Sequence, residues 1–253
     1  MGKSKSRTGP PAGSGGPDSN RILRLLPSSA FDGLEPYLER VELQRGESLF
    51  EPGDEVLQAY FPGRSAVIAL ILPMRDGRAV EAATIGCEGA VGGIISLGLK
   101  PAFARASVQI GGPALRILVT RLEAAKRQAP KVHDILSRYA DCLTSQVLQS
   151  VGCAAVHSLE SRCARWLLMT HDRLQTPDLP LTQETMAEMF GVTRTYVTRI
   201  ASTLQDRGVI SYRRGMLTIR RRDLLEKASC ECYGLVRRHF EQVLPDLYPS
   251  AEL

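Results

Sequence analysis

No cysteine occurs before Cys87, and no uninterrupted apolar run exceeds the seven residues AVIALIL at 66–72. A bilayer-crossing helix needs about 20 such residues, so no membrane span is expected. The amino-terminal stretch MGKSKSRTGPPAGSGGPDSN carries lysines with no apolar core behind them. It lacks the pattern of a secretory signal, and its Gly, Ser and Pro content reads as a disordered tail over residues 1–20. Six cysteines among 253 residues are too few for a disulfide framework, and without an export signal they are expected as reduced thiols in a cytoplasm. Four scattered histidines (His133, His157, His171, His239) show no metal-ligand spacing, and no Ser-His-Asp or Cys-His grouping is visible. Catalytic residues and metal ligands are both read as none. Cys230 and Cys232 form a C-x-C on an expected helix, with His239 two turns later. That spacing sets the sulfurs about 200° apart, so joint ligation would need the helix to end there. Cys142, Cys153 and Cys163 read as small core or interface residues.

What is present divides the chain. Lysine and arginine (32) exceed aspartate and glutamate (27), so a polyanionic partner is plausible and the placement of the charge matters more than its sum. Two short helices are expected between Arg21 and Arg40, where the leucines of RILRLL and FDGLEPYLERV recur helically. From Val41 to Val119 short alternating stretches are punctuated by glycine, the pattern of a sandwich or barrel. Then KVHDILSRYADCLTSQVLQSVGCAAV reads as one long helix with an apolar stripe at Leu136, Tyr139, Leu143, Val147 and Val151. Such a stripe packs either on its own domain or on a second copy in a parallel helix pair. Another helix is expected over 158–174, broken by TPDLP.

At Gly191 an apolar helical pattern stops and at once restarts. Thr182 suits the N-cap of a short helix over 183–190, and Gly191 suits a left-handed C-terminal turn. Thr193 can cap a second helix whose core side is Val197, Ile200, Ala201 and Leu204. Ala187 is small enough at the crossing for a helix-turn-helix. Thr195, Arg199 and Ser202 then face outward, with Arg194 on the first turn. Residues 191–222 hold eight arginines, no lysine and one acid, a charge of +7 where the whole chain carries +5. Arginine alone favours bidentate contacts to phosphate or guanine. GVISYRRGMLTIRR reads as a hairpin wing that presents Arg213 and Arg214 to a phosphate backbone.

The stretch LTQETMAEMFGVTRTYVTRIASTLQDRGVISYRRGMLTI resembles the winged helix-turn-helix of the Crp/Fnr superfamily of bacterial transcription regulators. RGESLFEPGD and YFPGRSAVIAL are similar to that family's cyclic-nucleotide-binding β-roll, SLESRCARWLL to the first helix of its DNA-binding domain, and EKASCECYGLVRRHFEQVLP to an extra helix of one subgroup. The resemblance implies an α+β chain: tail 1–20, β-roll sensor domain 21–130, dimerisation helix 131–157, winged helix-turn-helix 158–222 and helical extension 223–253. It implies a non-enzymatic homodimer in a bacterial cytoplasm on double-stranded, palindromic DNA, with RNA polymerase as a further partner if it activates. It puts base contacts on Arg194, Thr195 and Arg199, and backbone contacts on Thr193 and on Thr182 or Gln183. Ser202, Arg213 and Arg214 are assigned to the backbone as well. Many members hold glutamate where Thr195 stands, so the operator should differ.

GCEGAVGGII with Arg105 downstream resembles the family's phosphate cassette, which makes Glu88, Gly89 and Arg105 the candidate effector pocket. The family's adenine-contacting polar pair falls on Val147 and Leu148, which cannot hydrogen-bond a base. A cyclic nucleotide and a retained sandwich whose glycines serve only turns both stay open. Iron–sulfur members carry a cysteine cluster near the amino terminus, so no such cluster is expected here. Two other functions compete: nonspecific nucleic-acid binding through the arginines, and a nucleotide or redox sensor module.

Overall fold

The computed structural model describes residues 20–94 and 101–248. Most of the expected tail, 1–19, and the end of the extension, 249–253, lie outside the described residues. Asn20 corrects the tail boundary. It is buried, it caps helix α1 (Arg21–Arg24) by accepting from the Leu23 amide, and it donates to the carbonyls of Pro62 and Gly89. A lone asparagine beside glycines and serines gives no sign of such partners.

Helix α2 (Ser28–Leu34) follows, and then two antiparallel sheets. One runs β1 (Glu39–Leu43), β7 (Gly112–Leu118), β3 (Gln58–Pro62); the other runs β2 (Ser48–Phe50), β6 (Arg105–Ile110), β4 (Val67–Pro73), β5 (Ala79–Ile85). The unbroken apolar run AVIALIL becomes β4, and its two faces enter different cores. Ile68 packs inside the sandwich, whereas Val67, Ala69 and Ile71 join the core of the carboxy-terminal domain. A strand covered on both faces needs no polar alternation.

Helix α3 (Val119–Gln128) closes the sandwich and has no counterpart among the sequence expectations. Helix α4 (Pro130–Val156) is the long one, with proline in its first turn. Here the stripe assignment is corrected in part. Leu136, Tyr139 and Leu143 are buried in the core of their own protomer and Val147 packs against it, leaving only Val151 of the five outside. Periodicity identifies an apolar face without saying what covers it.

The carboxy-terminal domain comprises α5 (Leu159–Leu174), β8 (Asp178–Leu179), α6 (Gln183–Phe190), α7 (Arg194–Asp206), β9 (Ile210–Arg213), β10 (Met216–Ile219) and α8 (Arg222–Ala228). The two residues of β8, read from sequence as part of a break, complete the sheet β8-β10-β9. Helix α9 (Cys232–Val243) returns to α4, and Val236, Phe240, Leu244 and Leu247 finish the first domain's core. The extension therefore packs back onto the first domain. Among the described residues no helix is long and apolar enough to cross a membrane.

Candidate nucleic-acid interface

Helices α6 and α7 are built as a hinge. The Thr182 hydroxyl accepts from the Thr185 amide at 3.0 Å, which satisfies a first-turn donor of α6. At the other end Gly191 takes φ 64°, and the Val192 amide reaches back to the Ala187 carbonyl at 3.0 Å. A Cβ at Gly191 would also approach Val80 of β5 at 3.1 Å, so both conformation and space favour glycine. Thr193 occupies the N-cap of α7, but its hydroxyl caps no amide, contrary to the expectation from sequence. Val197, Ile200, Ala201 and Leu204 are buried together with Met186 and Ala187 of α6.

The opposite side of α7 faces solvent: Arg194, Thr195, Arg199 and Ser202 are all exposed, as is Thr193 at its start. Arg194 lies 4.0 Å from Glu184, a loose surface pairing worth little. Gln183 is held in place, since its amide donates to the Tyr212 hydroxyl and its side-chain oxygen accepts from Thr198. Arg214 and Gly215 both have positive φ, which makes a two-residue hairpin turn matched to the twist of β9 and β10. Arg213 and Arg214 are exposed at that tip.

Two site readings change. Thr182, assigned to a DNA backbone, already serves the cap and lies 3.4 Å from Arg45 of the first domain, which also donates to Thr185 at 2.9 Å. The charge of +7 is also an overcount, because its window stops one residue short of Asp223. Arg221 pairs with Asp223, and Arg222 with Asp172 and Glu226. The remaining field comes from Arg194, Arg199, Arg207, Arg213, Arg214 and Arg220, all exposed.

Residues 161–228 match the Crp-like helix-turn-helix domain family. The chain carries a Crp-like helix-turn-helix domain. It is 26% identical over 211 residues to the global nitrogen regulator of Nostoc sp., covering 78% of this chain and 90% of that protein. Its fold is that of FixK2 from Bradyrhizobium japonicum (TM-score 0.66, 16% identity, 76% of this chain and 98% of that one). The c-di-GMP-responsive global regulator CLP of Xanthomonas campestris shares the fold as well (TM-score 0.59, 16% identity, 76% and 99%).

The first domain does not assemble the pocket expected from sequence. Glu88 is buried and pairs with Arg173 of α5 at 2.7 Å, while Arg105 pairs with Glu51 at 2.8 Å on the surface. Gly89 is closed off too, because a Cβ there would collide with the Tyr139 hydroxyl of α4. Among the described residues Glu88 and Arg105 are therefore committed to different partners, and Glu88 joins the two domains. Arg173 completes the joint by donating to the carbonyls of Thr84 and Met169 and to the Gln146 side chain. The pairing escapes sequence reading because 85 positions separate the partners.

Side chains that look scattered in the sequence also come together. The helix does end at the C-x-C: α8 stops at Ala228 and α9 starts at Cys232. Cys230 and Cys232 meet Cys153 and His157, with one ligand atom from each all within 4.8 Å of one another. Cys153 is therefore not a plain core residue, and His157, not His239, is the histidine concerned.

Proposed function

We propose that this regulator binds a twofold-symmetric DNA operator as a homodimer, with one α7 in each of two major grooves about one helical turn apart. The observation that carries the reading is the outward face of α7, left open to solvent beside a hairpin tipped by two arginines. Arg194, Thr195 and Arg199 contact base edges; Gln183, Thr193, Ser202, Arg213 and Arg214 contact the backbone. Thr182 joins them only if the contact with Arg45 opens. The protein acts by binding, without a catalytic step, in the bacterial cytoplasm, and RNA polymerase is its further partner where it activates. A cyclic nucleotide is disfavoured as effector because Glu88 is already committed to Arg173.

Selection of bound duplexes from a random pool tests this. A palindromic motif with two half-sites is the expected result; enrichment of no sequence would favour nonspecific binding through the arginines.

The dimer seam falls on the exposed side of α4. Leu148 (67% exposed), Val151 (66%) and Val156 (75%) recur there at helical spacing with Thr144, Gly152 and Ala155, all exposed. Leu148→Glu combined with Val151→Glu is expected to convert the dimer to a monomer in light scattering and to weaken operator binding, with the circular dichroism spectrum unchanged. A dimer that persists would place the seam elsewhere.

A further inference from the structure

Helix α4 ends with Cys153 one turn before His157, the residue at which the chain leaves the helix. Ser229–Glu231 form a break between α8 and α9 that brings Cys230 and Cys232 against that end. The three cysteines are buried as a cluster separate from both hydrophobic cores, so their sulfurs face one another instead of filling apolar space. Cys153 Sγ lies 3.5 Å from Cys230 Sγ, and Cys232 Sγ lies 3.6 Å from His157 Nδ1. A tetrahedron with metal–sulfur bonds of about 2.3 Å and metal–nitrogen bonds of about 2.0 Å has edges of about 3.5 to 3.8 Å. The spacing fits four ligands on one ion and is too tight for the corners of an iron–sulfur cubane.

The surroundings match a metal-bound state. His157 Nε2 is 3.1 Å from the Glu231 carboxylate, which accepts its proton and leaves the Nδ1 lone pair toward the sulfurs. The Gln149 amide donates to Cys232 Sγ at 3.0 Å. Arg165, 8% exposed, acts electrostatically on Cys153, and its Nε and Nη1 have no hydrogen-bond partner among the described residues. A buried guanidinium needs a counter-charge. Three thiolates, a neutral imidazole and a divalent ion carry a net charge of minus one and supply it.

We propose that Cys153, His157, Cys230 and Cys232 bind one zinc ion per chain. Three thiolates and one imidazole in a tetrahedral, fully protein-filled set suit zinc in a closed, structural site. His157 and Ser158 are the two residues that connect α4 to α5 along the chain. The ion therefore pins the hinge between the two domains to the start of α9, which sets where the helix-turn-helix sits relative to α4.

The test is made on the full chain purified under reducing conditions. Its metal content is measured, and the metal-free protein is then titrated with cobalt(II), whose thiolate charge-transfer and d–d bands report tetrahedral coordination. One zinc per chain as purified is expected, and one cobalt per chain that a single equivalent of zinc displaces. Cys232→Ser should lose the spectrum and Cys163→Ala, which alters a cysteine outside the cluster, should keep it. Glu231→Gln should weaken cobalt affinity by about tenfold or more. Should Cys232→Ser fail to fold, the wild-type stoichiometry and spectrum still decide. No stoichiometric metal in the reduced wild type, a Cys153–Cys230 disulfide in its place, or iron with inorganic sulfide would each overturn the proposal. DNA binding enters none of these readouts, so the outcome is independent of the operator reading.

Discussion

Arg199→Ala is expected to weaken binding to the selected operator by about 1–3 kcal/mol, roughly 5- to 150-fold, while affinity for random duplex changes far less. The difference arises because a guanidinium on a guanine edge contributes only where that guanine is present, whereas phosphate contacts contribute on every sequence. Arg199 is suited to the first role. It is exposed on the face of α7 opposite Val197, and α7 is anchored by its buried side, so the side chain projects from a rigid support. The readout is competition binding to a panel of operators, each altered at one base pair. Discrimination should vanish at one position per half-site and persist at the others. Equal loss on operator and random DNA would reduce Arg199 to a phosphate contact.

Glu88→Gln should lower stability by about 3–5 kcal/mol, because it leaves a charged Arg173 with no counter-ion in the interior. The side chains of the pair are 1% and 2% exposed, so solvent cannot substitute for the lost carboxylate. Burial disfavours the charged guanidinium, yet the charge and hydrogen bond of Glu88, with Tyr248 and Glu81 nearby, together outweigh that and hold Arg173 protonated. Thermal unfolding gives the size of the loss. The single tryptophan gives its location, since Trp166 of α5 donates to Glu81 of β5 across the same domain boundary at 3.0 Å. Its emission should shift to the red before the rest of the chain melts. A double replacement, Glu88→Leu with Arg173→Met, should recover only part of the stability, because the buried Gln146 side-chain oxygen would lose the donor it has now. An unaltered melting curve for Glu88→Gln would show that the pair does not hold the domains together.

These two regions mark how far the sequence could be read. The helix-turn-helix was legible because its determinants are local: a left-handed glycine at 191 and a core stripe from Val197 to Leu204, all within 14 residues. The sandwich was legible from glycine punctuation, but the role of AVIALIL was not, since a strand covered on both faces looks like any short apolar run. Glu88 resembled a ligand contact by its glycine-rich setting; its actual partner lies on α5, and no spacing rule reaches that far. On α4, periodicity ran Leu136, Tyr139 and Leu143 together with Val151 as one stripe and passed over Leu148, so a buried face and an exposed one read as a single face. The helix carries both, and only packing separates them. The sulfur cluster was hidden for a different reason. The C-x-C seemed to lie within a helix, whereas Ser229 interrupts it and turns Cys230 and Cys232 toward Cys153, which is 77 residues away from Cys230.

The most direct measurement is the ratio of affinities of the wild-type chain for its selected operator and for a scrambled duplex, at one fixed salt concentration. If α7 reads base edges in two grooves, the ratio should be about a thousandfold or more. A ratio near one, with both affinities falling equally steeply as salt rises, would mean that the arginines meet phosphate alone and would contradict the account.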